Sequence, residues 1–362
     1  MPKHATDTET SMSITRRRAL QLTAAVGAFA GLRPMAAQAQ ADNAASVASL
    51  SGPDRTQKLI EGAKREGTVS FYSNAPTSDN TAIVGGFEKK YGVKVKLYRA
   101  SSEEIRQRVI RESGAGRADV DFILNNAPAM EALTQEKLLQ EIKSPVLADL
   151  MPQAIPPHRQ WAGFALNILI PAYNTDQIKK DDLPKSYEDL LDPKWKGKLG
   201  IEADDSDWFG GLMDKMGQDK GEKLFRDIVA RNGISVRKGH TLLANLVAAG
   251  EVPLALTIFN YTAAQLKKKG APVDWFLLEP VISMTNSVAV AKSARNPNAA
   301  VLFFDYMLSD AQKILAKREY SVTNLKVPSD IDRSKITVLD AATMLRDGEK
   351  WESIYKKIFV GR

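Results

Sequence analysis

No cysteine occurs anywhere in the 362 residues. Disulfides, thiolate nucleophiles, thiolate-ligated metal centres and a lipid-modified N-terminal cysteine are all excluded. Histidine is nearly as scarce, with only His4, His158 and His240. None of them sits in an H-E-x-x-H frame or beside a nucleophile elbow, so His158 and His240 read as surface or packing residues. There is no G-x-x-x-x-G-K-[ST] phosphate cradle, and Gly85-Gly86 falls inside a helical pattern. Acid–base chemistry would be left to carboxylates, tyrosines and lysines. The residues therefore point to a binding protein without a catalytic cofactor, with a crevice enzyme as the alternative.

The first 41 residues have the layout of an export leader. Thr15-Arg16-Arg17-Arg18-Ala19-Leu20 matches a twin-arginine pattern, Leu22 to Leu32 is an Ala-rich apolar run too short to cross a bilayer, and cleavage is expected near Ala39 or Ala41. Residues 42–53 read as a flexible joint. The leader carries five basic and two acidic residues, which leaves +4 of the formal +7 on the exported chain. That charge is scattered and forms no stripe, so a nucleic-acid partner is not expected. The product reads as a soluble periplasmic monomer of about 320 residues, long enough for two lobes.

Beyond residue 54, helical and strand patterns alternate. A capped helix is expected over Asp54 to Gly67, a strand over Thr68 to Ser73, a helix to Tyr91, a strand over Val93 to Tyr98, a capping box at Ser101 with Glu104, and a strand from Ala118 to Leu124. The apolar segment Ala162 to Ala172 is suited to leaving one lobe for another, and Ser287 to Ala291 to returning. Between them the pattern predicts helices from Asp205, Gly221, His240 and Thr262, and strands over Val252 to Phe259 and Val273 to Leu278. A helix from Pro297 follows, then helices near Ala341 and Trp351. The fold class is α/β with a mostly parallel sheet.

The densest stretch is Asp192-Pro193-Lys194-Trp195-Lys196-Gly197-Lys198, followed by a short strand and then Glu202-Ala203-Asp204-Asp205-Ser206-Asp207-Trp208. In an open α/β sheet, ligands bind beyond the carboxyl ends of the strands, which is where Glu202 to Asp207 would lie. The aspartates are either ligands or caps of the following helix. Loops after the other strands offer Ser73, Asn74, Ser101, Ser102, Asn125, Asn126 and Tyr261. Ser101 and Ser102 stand at a helix N-terminus that either caps itself or holds an anion. Carboxylates with a phenolate suit a hard cation such as ferric iron, making Glu202, Asp204, Asp205 and Tyr261 the candidate metal ligands. Trp208 and Trp161 either wall the cleft or pack in the core.

Gly67-Thr68-Val69-Ser70-Phe71-Tyr72-Ser73, Phe87-Glu88-Lys89-Lys90-Tyr91-Gly92-Val93-Lys94-Val95, Ala118-Asp119-Val120, Tyr173-Asn174-Thr175, the Asp192 to Lys198 element, Asn260-Tyr261 and Lys269-Gly270-Ala271-Pro272-Val273 together resemble the extracellular solute-binding proteins of bacterial ABC importers, ferric-ion-binding branch. The resemblance implies a two-lobed type II periplasmic-binding-protein fold with two crossover strands. It also implies closure on a solute, and delivery to an inner-membrane permease. Lobe 1 would hold residues 54–165 and 283–335, lobe 2 residues 166–282 and 336–362. Ferric relatives place paired tyrosines after an Asn, where only Tyr261 matches, and a His and a Glu in loops that here read Asn74-Ala75-Pro76 and Asn125-Asn126. The implied solute is Fe(III) or a ferric chelate, with an accessory anion. A small organic anion or a phosphonate is the alternative solute, and a chemosensor the alternative recipient.

Overall fold

The computed structural model describes residues 44–361, so the leader lies outside the described residues. Lobe 1 opens with helix α1 (Arg55–Glu66), strand β1 (Thr68–Ser73), α2 (Thr77–Tyr91), β2 (Lys94–Arg99), α3 (Ser102–Gly114), β3 (Phe122–Asn126) and α4 (Ala127–Gln135). Strand β1 runs parallel to β2 and β3. Gly67 and Gly92 end α1 and α2 with φ of 72° each, a left-handed cap that glycine adopts without a Cβ clash.

Strand β4 (Ala162–Asn174) then leaves the first lobe. Its first half pairs antiparallel with β9 (Val281–Val290), and its second half pairs with β7 (Leu254–Phe259). Lobe 2 is built from β5 (Leu199–Glu202), α5 (Ser206–Met216), α6 (Gln218–Asn232), β6 (Ser235–Arg237), α7 (His240–Ala248), β7, α8 (Asn260–Lys268) and β8 (Val273–Trp275). Strand β9 returns, beginning against β11 (Ile336–Val338) and ending against β3. Along the sheet the order is β2-β1-β3-β9-β4-β7-β5-β6, so β4 and β9 lie at its centre and belong to both halves.

Each half has its own apolar core. In the first, Phe71, Phe87, Phe122 and Phe303 pack edge to face beneath α9 (Pro297–Met307). In the second, Trp208, Phe209, Phe225, Tyr355 and Phe359 do the same. Helix α10 (Asp310–Ala316) and the short strand β10 (Ser321–Val322) lead to the last α-helix among the described residues, α11 (Ala341–Tyr355). The two helices expected near Ala341 and Trp351 are this one continuous helix. It starts against α4 with Ala341 among the first lobe's buried residues and finishes against α5 in the second.

Residues 44–53 depart from the flexible joint expected over 42–53. Residues 44–48 are helical, Val47 and Ala48 join the first core, and the Ala48 carbonyl accepts a hydrogen bond from the Lys143 backbone at 3.0 Å. Two apolar side chains had a core face to fill, and the Ala/Ser composition concealed it.

Asp121 fastens β1, β3 and the start of α9 together. Its carboxylate, 1% exposed, accepts from the backbone of Ser70, Arg295 and Asn296 and from the Asn296 side chain at 2.8 to 3.0 Å. Removing it strands four donors in a buried setting. Asp121→Ala is expected to cost about 3 kcal/mol of unfolding free energy, read as a lower urea midpoint with an unchanged slope.

Candidate functional site

Strand β5 ends on Glu202, and the chain turns there because every polar group of that residue is engaged. Its backbone N–H donates to Thr257 Oγ1 at 3.1 Å, and its carbonyl accepts from the hydroxyl of Tyr355 on α11. One carboxylate oxygen accepts the Asp204 backbone N–H and the other the Gly239 N–H at 2.7 Å. Gly239 supplies that N–H from φ +105°, a conformation L side chains rarely adopt, immediately before α7.

The capping alternative for Asp205 is decided by its bonds. Asp205 occupies the N-cap position of α5 but makes no side-chain cap bond. Its Oδ1 lies 3.0 Å from His240 Nε2, and its Oδ2, buried, has no hydrogen-bond partner. Glu202, Asp205 and His240 can each bring one ligand atom within 4.8 Å of the others. The His240 imidazole is held above its ordinary range: burial opposes its charge, while the hydrogen bond and charge of Asp205, with the charges of Glu202 and Asp204, prevail.

Sequence reasoning passed over His240, since no motif marks it. Its position directly after a glycine, opening a helix beside the acidic loop, was the available signal. Asp204, by contrast, is exposed, with Lys238 3.7 Å away.

Tyr261 belongs to a different group. His240 stacks on Phe259 at 4.0 Å, Phe259 on Tyr261 at 5.4 Å and Tyr261 on Tyr320 at 4.2 Å, all within 24° of parallel. One phenylalanine ring thus separates Tyr261 from the imidazole. Tyr320 sits in the segment before β10, and its hydroxyl donates to Asp79 Oδ2 at 2.7 Å, while Arg318 Nε donates to Asp79 Oδ1 at 2.6 Å. Asp79 lies on α2, just past the carboxyl end of β1, and Tyr261 follows the carboxyl end of β7, so this is where the two lobes meet. Asn260 also donates to Ser321 Oγ at 2.9 Å and Gln265 to the Arg318 carbonyl at 2.8 Å. Both phenols are held above the ordinary tyrosine range, Tyr261 by burial and the Asp79 charge, Tyr320 by burial and its bond to Asp79.

The first-lobe candidates form a mutual network. Asn74 Nδ2 donates to Ser102 Oγ at 2.9 Å, and Asn125 Nδ2 donates to the Ser102 carbonyl at 2.9 Å. Asn74 Oδ1 is left without a partner. Ser73 is fully buried and bonds Asn80, Ser101 is occupied by its capping box with Glu104, and the Asn126 side-chain oxygen Oδ1 caps α4 by accepting from the Ala129 backbone N–H. These three hold the loops in place. Trp208 is also fully buried, between Tyr187 and Phe225, so it packs in the second core and walls no cleft. Trp161 is 6% exposed and donates to Glu131.

A family model for the bacterial extracellular solute-binding proteins matches residues 119–345. The chain belongs to that family. This solute-binding protein is 31% identical over 189 residues to the "Fe(3+)-binding periplasmic protein" of Serratia marcescens, a match spanning 52% of the chain and 55% of that relative. It is 25% identical over 286 residues to "Iron uptake protein A1" of Synechocystis, 74% of the chain and 78% of the relative.

Among solved structures, iron-bound HitA from Pseudomonas aeruginosa superposes with a TM-score of 0.68 at 22% identity, over 80% of this chain and 99% of that one. AfuA from Actinobacillus pleuropneumoniae, with exogenous fructose-6-phosphate bound, gives 0.65 at 21%, over 82% and 99%. The solute-binding protein thus has the two-lobed type II periplasmic-binding-protein fold, with β4 and β9 as the crossover strands.

Asp207, in the first turn of α5, provides a pH signature. Burial, with the Asp205 charge second, pushes its carboxyl up to about 6. The folded state therefore binds a proton more tightly than the unfolded chain, and stability falls as pH rises from about 4 to about 6. Asp207→Asn lacks that loss. Its melting temperature relative to wild type is expected to rise across that window and to level off above it, measured by scanning calorimetry at stepped pH.

Proposed function

We propose that the protein is the exported substrate-binding component of an ABC importer, taking up ferric iron or a ferric chelate in the cleft and presenting it to an inner-membrane permease. The carrying observation is the meeting of Tyr261, Tyr320 and Asp79 at the junction of the lobes, two phenols and a carboxylate drawn from both sides. Hard trivalent iron favours such oxygen donors. It can displace phenol protons that burial otherwise retains, and a ligand touching both lobes stabilises their closed arrangement.

The anion alternative is less well served. Arg318, a guanidinium at this junction, is already paired with Asp79. The names of the Serratia and Synechocystis relatives point the same way. Asn74, with its free side-chain oxygen, and Ser102 are the first-lobe contacts proposed for the chelate or accessory anion. The twin-arginine pattern supports export, and the absence of cysteine a product free in the periplasm. Membership of a family of solute-binding proteins supports a binding role, and we read no enzymatic one.

Ferric citrate is expected to raise the melting temperature of the wild-type protein, since a ligand at a hundred times its Kd adds about 2.7 kcal/mol. It should also produce a visible phenolate-to-iron band, and Tyr261→Phe should weaken and shift that band. No thermal shift with any ferric chelate would remove the iron reading. Full ferric affinity in Tyr261→Phe would remove the phenolate.

A further inference from the structure

We infer that Glu202, Asp205 and His240 form a second metal site, contained wholly in lobe 2, that takes a first-row divalent cation such as Zn2+ or Co2+. Three observations carry it. The three residues bring ligand atoms within 4.8 Å of one another, two carboxylate oxygens and one imidazole nitrogen. That mixture suits borderline first-row divalent ions better than trivalent iron, and fewer than four protein donors leaves positions for water or solute.

Asp205 is 5% exposed, and its Oδ2 is buried with no partner, an arrangement that costs stability unless a cation or donor satisfies it. The ligands are also held before any ion arrives. Backbone N–H groups of Asp204 and Gly239 fix the Glu202 carboxylate, Tyr355 and Thr257 fix its backbone, and the face of Phe259 fixes the His240 ring. Such supporting contacts orient metal ligands and raise affinity.

The three ligand residues all belong to lobe 2, and neither Tyr261 nor Tyr320 is among them. Phe259 stands between His240 and Tyr261, so a metal on the imidazole side is not shared with Tyr261. Divalent binding is therefore independent of lobe closure and of whether the transported solute is ferric.

Chelator-stripped wild-type protein titrated with Zn2+ by calorimetry should bind one ion, and Co2+ should give ligand-field absorption characteristic of nitrogen and oxygen donors. Asp205→Asn and His240→Asn should each weaken Zn2+ by at least about tenfold. The histidine variant is decisive. An ion held by acidic charge alone would be indifferent to loss of the imidazole, or bind more tightly, and that result overturns the site. Should His240→Asn fail to fold, a zinc-soaked wild-type crystal decides, with an anomalous peak among the three side chains expected and a peak elsewhere, or none, overturning the assignment. Zn2+ binding without any response to ferric citrate would remove the ferric reading and leave this site standing. Ferric binding without Zn2+ binding would remove this site alone.

Discussion

The pairing of β4 with β9 is the constraint on which the molecule rests. Both strands run through the centre of one continuous sheet, and each exchanges partners midway: β4 passes from β9 to β7, β9 from β11 to β3. Register shifts fall on either side of the handover along β4, one within its pairing with β9 between Gly163 and Ala165 and one within its pairing with β7 between Ile170 and Ala172. Such irregularities bend a strand and increase its local twist. Gly163 is packed against Ala154 and Thr285, where a Cβ would stand 3.0 Å from both. The lobes therefore stay in one hydrogen-bonded sheet while their outer strands diverge, and the carboxyl ends of β1, β3, β5 and β7 converge on the same space.

Much of this framework was legible in the residues. Strand β1 has the expected bounds, the capping box of α3 forms as Ser101 and Glu104 dictate, and the glycine stops of α1 and α2 hold because few other residues tolerate a positive φ there. Short-range signals of this kind act within one turn of chain. Strand β3 is displaced from its expected span because Asp121, read as part of the strand, is taken up by α9, nearly two hundred residues away. Helix α4, for which no element was expected, carries Pro128 in its first turn and buries Ala127, Met130 and Leu133 at helical spacing, a signal the sequence reading passed over.

The site was only half visible, for the same reason. Glu202 and Asp205 announce themselves as acids after a strand. Their partner His240 comes from the start of another helix, and Tyr320, the stacking partner of Tyr261, from beyond the return strand. Sequence spacing cannot bring such residues together; the topology of the sheet does. The expected metal set consequently divides, with two carboxylates joining an imidazole, Tyr261 joining a second phenol and Asp204 facing solvent. Likewise Ser73, Ser101 and Trp208 spend their polar or aromatic capacity on local bonding and packing.

Helix α11 is rooted in the first lobe at Ala341 and in the second at Tyr355, whose hydroxyl reaches the backbone of Glu202. A hydrogen-bonded helix is a stiff rod of fixed length, so the distance between its two anchorages cannot grow when the lobes part. Any closing motion of the kind proposed would therefore have to pivot near the rod.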